Sequence, residues 1–259
     1  MRHLLYLFIL AMVMACNGRT GHQSESAADK SVTPSAIKDL DPTTAKEPVT
    51  APKDSLGKLE KGLIVAGLVN VKAQLPEVFV ELKYSTTDNF FGKDVYGPLV
   101  NCYLQPEVVK MLKEALTNLQ KEHSDLTFLI YDGVRPRSVQ QILWDDLDKP
   151  DSLKPLYVAN PQKGSLHNYG VAVDLTLANR STGKPLDMGT HYDYFGYPAY
   201  PDREEQMLAA GKITAQQVNN RKILRAAMNK AGFSEIGSEW WHFNAFSLQE
   251  AKSRYKIVE

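Results

Sequence analysis

The sequence predicts an α+β domain, with a small and mostly antiparallel central sheet flanked by helices. Segments of strand and helix character alternate along the chain, the strand candidates are short, and one of them, residues 171–177, carries large apolar side chains at every odd position. The first strand is Val78-Phe79-Val80-Glu81-Leu82. Pro106 suits the first turn of a helix running to about residue 121, because the N–H it lacks would be unpaired there anyway. Val108, Val109, Leu112, Ala115, Leu116 and Leu119 form the apolar stripe of that helix. Residues 127–131 make a second strand, followed by an Asp132-Gly133 turn and a helix through Val139, Ile142, Leu143 and Leu147. In residues 171–177, period two buries Val171, Val173, Leu175 and Leu177 and turns Asp174 to the other face. A helix from about residue 220 to 230 ends near Gly232, and residues 240–244 form a last strand or its entry turn.

At 259 residues and 43% hydrophobic content, the chain can bury one substantial core and has room for little more. Lys+Arg and Asp+Glu both number 30, so there is no basic excess to neutralise phosphates, which argues against nucleic acid as a partner. Arg2 and His3 precede an apolar run, residues 4–14, too short to span a membrane as a mature helix and matching a signal-peptide core. The run leads into Ala15-Cys16, and a cysteine just after a small residue there resembles the bacterial lipoprotein signal, in which the thiol is acylated. Residues 1–16 therefore read as a lipoprotein signal peptide with Cys16 as the lipidation site, giving an exported protein anchored to a membrane and facing the periplasm. The alternative is an ordinary signal peptide with an incidental cysteine, which would leave the protein soluble in the same compartment.

Residues 17–58 are rich in Ser, Thr, Ala, Pro, Asp and Lys with almost no aromatics, cannot bury enough apolar area to offset ordering entropy, and read as a flexible tether. Residues 59–259 are the folded domain. No later segment is apolar enough to span a membrane, so membrane contact is expected through the lipid anchor only. Cys102 is the one other cysteine, and with no base placed to activate it, it reads as a buried small hydrophobe. The sequence carries no sign of the oligomeric state.

The chemistry is concentrated in two stretches, Gly164-Ser165-Leu166-His167-Asn168-Tyr169-Gly170-Val171-Ala172-Val173-Asp174 and Ser238-Glu239-Trp240-Trp241-His242. A spacing of seven would set His167 and Asp174 on opposite faces of one strand, so His167 must precede the strand, in a turn that Gly170 makes possible. With His242, two imidazoles and one carboxylate supply three ligands, the usual count for a catalytic zinc that keeps its fourth position open. Nickel, cobalt or iron could take the same ligands; zinc, one per chain, is preferred on softness and availability. Singly, each histidine reads better as an ordinary hydrogen-bonded side chain, but an Asp in an apolar strand is costly to bury without a partner, and a metal is such a partner. Glu239, three residues before His242, suits a general base that takes a proton from the attacking water and returns it to the leaving amine.

Ser-x-His-x(6)-Asp with Glu-x-Trp-His resembles the zinc D,D-peptidase superfamily, which includes D,D-carboxypeptidases, phage endolysins and the hedgehog signalling domain. More closely, residues 165–167, 172–177 and 239–242 resemble the D-alanyl-D-alanine dipeptidases of vancomycin resistance and peptidoglycan recycling. The likeness extends to Lys83-Tyr84 with Asp88-Asn89-Phe90, to residues 131–136, and to Met188-Gly189 with Asp193, covering about residues 70 to 245. It implies the zinc D,D-peptidase (hedgehog-like) fold and hydrolysis of a small D-amino-acid dipeptide, D-alanyl-D-alanine. It also implies that Arg135 stabilises an oxyanion, a task its permanent charge and five donors suit. Asp193 is similar to the family residue that anchors the ammonium, and Ser165 and Tyr84 to polar groups lining the substrate site.

Other residues carry blander expectations. Trp240 and Trp241 invite sugar stacking but more often pack a core. Asp187, His191 and Tyr192 read as ordinary loop residues, Arg137 as a surface residue, and His3, His22 and His123 carry no assigned chemistry. The Tyr- and Pro-rich residues 191–201 edge the cleft and bear on which peptides enter. Two rival functions remain: a D,D-carboxypeptidase or endopeptidase acting on peptidoglycan stem peptides, and a non-catalytic, zinc-containing peptidoglycan-binding module, which would need neither Glu239 nor Arg135.

Overall fold

In the computed structural model the described residues are 56–259. The expected signal peptide with Cys16, and the expected tether up to residue 55, lie outside them. Helix α1 (Lys58–Val65) begins where the tether was expected to end. It is followed by β1 (Val69–Asn70), α2 (Val71–Gln74), β2 (Phe79–Val80), β3 (Tyr103–Leu104), α3 (Pro106–Glu122) and β4 (Leu126–Asp132). Then come α4 (Arg137–Asp145), β5 (Ala172–Asn179), α5 (Glu204–Ala209), α6 (Ala215–Lys230), β6 (Ser234–Ile236), β7 (Glu239–Asn244) and α7 (Leu248–Arg254). Five strands form the main sheet in the order β2-β4-β5-β7-β6, with β2 parallel to β4 and the other pairings antiparallel. The α+β class and the mostly antiparallel sheet are as the sequence predicts.

Several elements differ in extent from the sequence reading. Helix α4 stops at Asp145, short of Leu147, and leaves Ile142 exposed. Helix α6 starts five residues earlier than expected because Thr214 and Gln217 close a reciprocal capping box. Helix α7 has the same device, Ser247 with Glu250. In β5 both faces are buried rather than one. Val173, Leu175 and Leu177 join the apolar cluster that Leu112, Leu116, Leu224 and Met228 of α3 and α6 also enter, while Tyr192 packs over Asp174 on the other face.

Two irregularities in the ladder decide what faces what. Strands β4 and β5 pair Ile130 with Leu175 but Asp132 with Asp174, so Tyr131 is an extra residue. That bulge ends the strand with Asp132 beside Asp174, where the sequence suggested a simple turn. On the other flank β7 sets His242 opposite Asp174. Strand β6 then advances one residue, from Glu235 to Ile236, while β7 runs from Phe243 back to Glu239. A regular strand would show Glu239 and His242 on opposite faces; the surplus taken up by the Trp240-Trp241 segment lets both line one cleft. Both tryptophans are buried, at 3% and 1% exposure, in keeping with the packing role expected of them.

His167 lies in a 3-10 turn, Leu166–Tyr169, that ends at Gly170 with φ 67°, and Gly170 N–H donates to the His167 carbonyl. A Cβ at Gly170 would stand 2.5 Å from Leu68 Cδ2. Gly170→Ala is therefore expected to destabilise the domain by about 1–2 kcal/mol from the left-handed backbone alone, with the clash adding to it. Urea denaturation reads this directly, and an unchanged midpoint would show that the turn relaxes freely.

Candidate metal centre

The turn sets His167 Nδ1 at 2.7 Å from the Gly133 carbonyl oxygen. A carbonyl only accepts, so Nδ1 holds the proton and Nε2 is left bare. His242 Nε2 faces Asn244 Oδ1 at 2.8 Å, which leaves its Nδ1 for a proton or a cation. Asp174 divides its two oxygens, with Oδ2 accepting from the Tyr192 hydroxyl at 2.8 Å and Oδ1 facing the imidazoles. The three remaining atoms form a tight triangle: His167 Nε2 to His242 Nδ1 is 3.1 Å, His242 Nδ1 to Asp174 Oδ1 is 3.0 Å, and His167 Nε2 to Asp174 Oδ1 is 3.4 Å. A tetrahedral ion with bonds of about 2.0–2.1 Å holds its ligands roughly 3.3 Å apart, so these donors fit one such ion. His167, Asp174 and His242 also form a group of possible metal ligands whose atoms all lie within 4.8 Å of one another.

Electrostatics tell the same story. Burial alone would raise the Asp174 carboxyl, but the imidazole of His167 and then that of His242, both close against it, hold it well below the usual range. Burial pushes the His242 imidazole down, yet the hydrogen bond to Asp174 and its charge outweigh this and raise it to about 9. A positive charge is thus favoured at the carboxylate, as a proton or as a metal.

Around the triangle lies a cleft of ≈ 290 Å³ whose walls include every residue expected to bear on the site: Tyr84, Arg135, Ser165, Asp193 and Glu239 with the three ligand candidates. Glu239 Oε2 is 4.0 Å from His242 Nδ1, and burial raises its carboxyl above the usual value against the pull of His242. Arg135 donates from Nε and Nη2 to Asp132 Oδ2, at 3.0 and 2.6 Å, with its guanidinium 4.7 Å from the centre of the Tyr84 ring. Ser165 Oγ donates to Gln140 Oε1 at 3.3 Å. Asp193 accepts from the Tyr84 hydroxyl at 2.9 Å and is pushed well up, by burial first and then by Asp174. Its φ of 57° is the one positive value at a non-glycine among the described residues, a conformation that costs on the order of 1–3 kcal/mol. Three carboxyls, those of Asp174, Asp193 and Glu239, line the cleft with the two imidazoles and one guanidinium that is already paired with Asp132.

Some residues that hold the site give no sign in the sequence. Asp132 is fully buried and accepts from Tyr96 Oη, Gly133 N and Arg135, fixing the guanidinium. Asn244 orients His242, and its only signal is its place two residues on, on the same face of β7. Tyr192, expected to be an ordinary loop residue, is instead bound to Asp174. Asp187 does behave as a loop residue, accepting from Gly189 N and Gln217 Nε2. His191 sits against the Tyr192 carbonyl. Arg137 pairs with Glu259 at the surface, and the buried Cys102 thiol is pushed up by desolvation.

A protein family described as D-ala-D-ala dipeptidase matches residues 65–256. The D-alanyl-D-alanine dipeptidase of Escherichia coli (strain K12) is 36% identical over 176 residues, covering 68% of this chain and 83% of that one. That of Enterococcus faecalis (strain ATCC 700802 / V583) is 30% identical over 192 residues, covering 68% and 90%. Among solved structures, the LdcB LD-carboxypeptidase gives a TM-score of 0.36 at 20% identity, covering 58% of this chain and 63% of that one. The vancomycin-resistance D,D-pentapeptidase VanY in complex with Zn(II) gives 0.35 at 14%, covering 59% and 78%. Likenesses that distant carry no functional weight.

Zinc at a hundredfold excess over its dissociation constant should stabilise the domain by about 2.7 kcal/mol relative to chelator-treated protein. Asp174→Asn should abolish most of that gain. Scanning calorimetry with and without chelator measures both, and a melting temperature indifferent to zinc would rule the centre out.

Proposed function

The chain belongs to the D-ala-D-ala dipeptidase family, the premise from which we propose that it hydrolyses D-alanyl-D-alanine to two D-alanines in the cleft beside His167, Asp174 and His242. The observation that carries this reading is the convergence of two imidazole nitrogens and one carboxylate oxygen, 3.0–3.4 Å apart, at the floor of that cleft. One zinc ion per chain, held by His167 Nε2, Asp174 Oδ1 and His242 Nδ1, would polarise the scissile carbonyl and acidify a water.

The chain's own groups supply the rest. Glu239, raised by burial, is a general base suited to take the proton of the attacking water and then pass it to the leaving amine. Arg135 keeps its charge because Asp132 offsets the cost of burial, and its guanidinium stabilises the developing oxyanion. Asp193, a buried carboxyl crowded by Asp174, gains most from an arriving cation and anchors the substrate ammonium. Tyr84 steadies Asp193 through its hydroxyl, and Ser165 adds a polar group to the wall.

Size supports the small substrate. At ≈ 290 Å³ the cleft stands at the bottom of the roughly 300–1,000 Å³ range of ligand pockets. A stem-peptide carboxypeptidase or endopeptidase would want a groove open to polymer, and a binding module would have no use for Glu239 and Arg135. The same proposal sets the enzyme outside the cytoplasm on a lipid anchor at Cys16, which rests on the apolar run of residues 4–14 and on Ala15-Cys16.

Glu239→Ala should leave zinc bound and lower turnover by at least about two orders of magnitude; near-normal D-alanine release would refute its role. Acylating the dipeptide N-terminus should cost about 3 kcal/mol, roughly 100-fold in kcat/KM, through the lost contact between ammonium and Asp193. Equal rates on free and blocked dipeptide would favour the wall-peptide reading.

A further inference from the structure

Tyr192 stands apart from the residues already given roles. Its ring is buried, edge-on to Trp241 at 5.4 Å and to Tyr84 at 6.3 Å and tilted against Tyr131 at 5.2 Å, so its plane is fixed by packing. Its hydroxyl donates to Asp174 Oδ2 at 2.8 Å. Among the described residues this is the one hydrogen bond that oxygen receives, Arg135 Nη2 being 3.9 Å away. The next residue is Asp193, the position with left-handed backbone.

We propose that Tyr192 is a positioning residue that makes Asp174 a one-oxygen ligand and fixes the metal centre to the segment bearing Asp193. The inference rests on the metal reading of His167, Asp174 and His242. A carboxylate near a metal can bind through one oxygen or both, and a bidentate Asp174 would occupy coordination space that hydrolysis needs open. A hydroxyl held rigidly against Oδ2 engages that oxygen and leaves Oδ1 as the ligand, in the way outer partners orient ligand groups at metal sites. The same side chain fixes the residue before Asp193 while Tyr84 holds the Asp193 carboxyl, so two tyrosine hydroxyls steady the strained segment from either side.

The test is zinc affinity, measured on the full chain by competition with a chromogenic chelator. Tyr192→Phe removes one oxygen and keeps the ring packing, and it should weaken zinc binding by about 10- to 100-fold. Tyr84→Phe, which loses a buried hydroxyl bonded to Asp193 instead, should bind zinc as the unaltered protein does. Chelator-treated Tyr192→Phe should melt below chelator-treated unaltered protein, because a buried carboxylate oxygen loses its one donor, so the role at the metal is read from zinc affinity and not from stability. Native zinc affinity in Tyr192→Phe, or equal weakening in Tyr84→Phe, would each overturn the proposal. An unaltered protein that takes up no zinc would overturn the metal reading beneath it, so the two failures are distinguishable.

Discussion

A carboxylate at 2% exposure in the middle strand of a five-stranded sheet is a demand that the surrounding chain must meet. Asp174 sits between Asp132 across one strand pair and His242 across the other. Taking an ionised group out of water costs several kcal/mol unless donors or charges replace the lost hydration. Here an imidazole from a turn, an imidazole from the neighbouring strand and a phenol hydroxyl meet it. The left-handed Gly170, the β4 bulge and the loop carrying Tyr192 all serve to bring those groups within reach.

The same crowding explains the character of the cleft. Asp193 and Glu239 are both pushed up by burial, with Asp174 adding to the effect. Arg135 cannot neutralise them, because Asp132 already takes its Nε and Nη2 donors. In the proposed function a dipeptide brings its free ammonium to Asp193.

The sequence made the candidate ligands legible because few residue types bind metal and because their positions conflict with simple strand patterning. His167 had to precede β5, and it does. Strands β2, β4, β5 and β7 and the two longest helices were readable in the sequence, and the class followed from their alternation, whereas the short β1, β3 and β6 gave no pattern of their own. Long-range partners were not readable, since nothing local marks Asp132 as the seat of Arg135 or Tyr192 as a partner of a residue 18 positions away. Helix α7 and the early start of α6 were signalled by Ser247 with Glu250 and Thr214 with Gln217, patterns as strong as those used elsewhere. Burial on both faces of β5 depends on what packs above it, which period two cannot reveal.

The irregular run through Trp240 and Trp241 has a consequence for how this scaffold tolerates change. Strand geometry is a matter of parity: an even offset keeps two side chains together and an odd one parts them. The acid and the imidazole of β7 are separated by an odd offset and meet only because the backbone loses phase between them. Shortening that stretch by a single tryptophan would leave hydrophobicity, charge and strand propensity almost untouched. It would also make the offset even, so that the acid and the imidazole would share a face of a regular strand with no lost phase between them, and the placing of the acid is held by chain length as much as by chemistry.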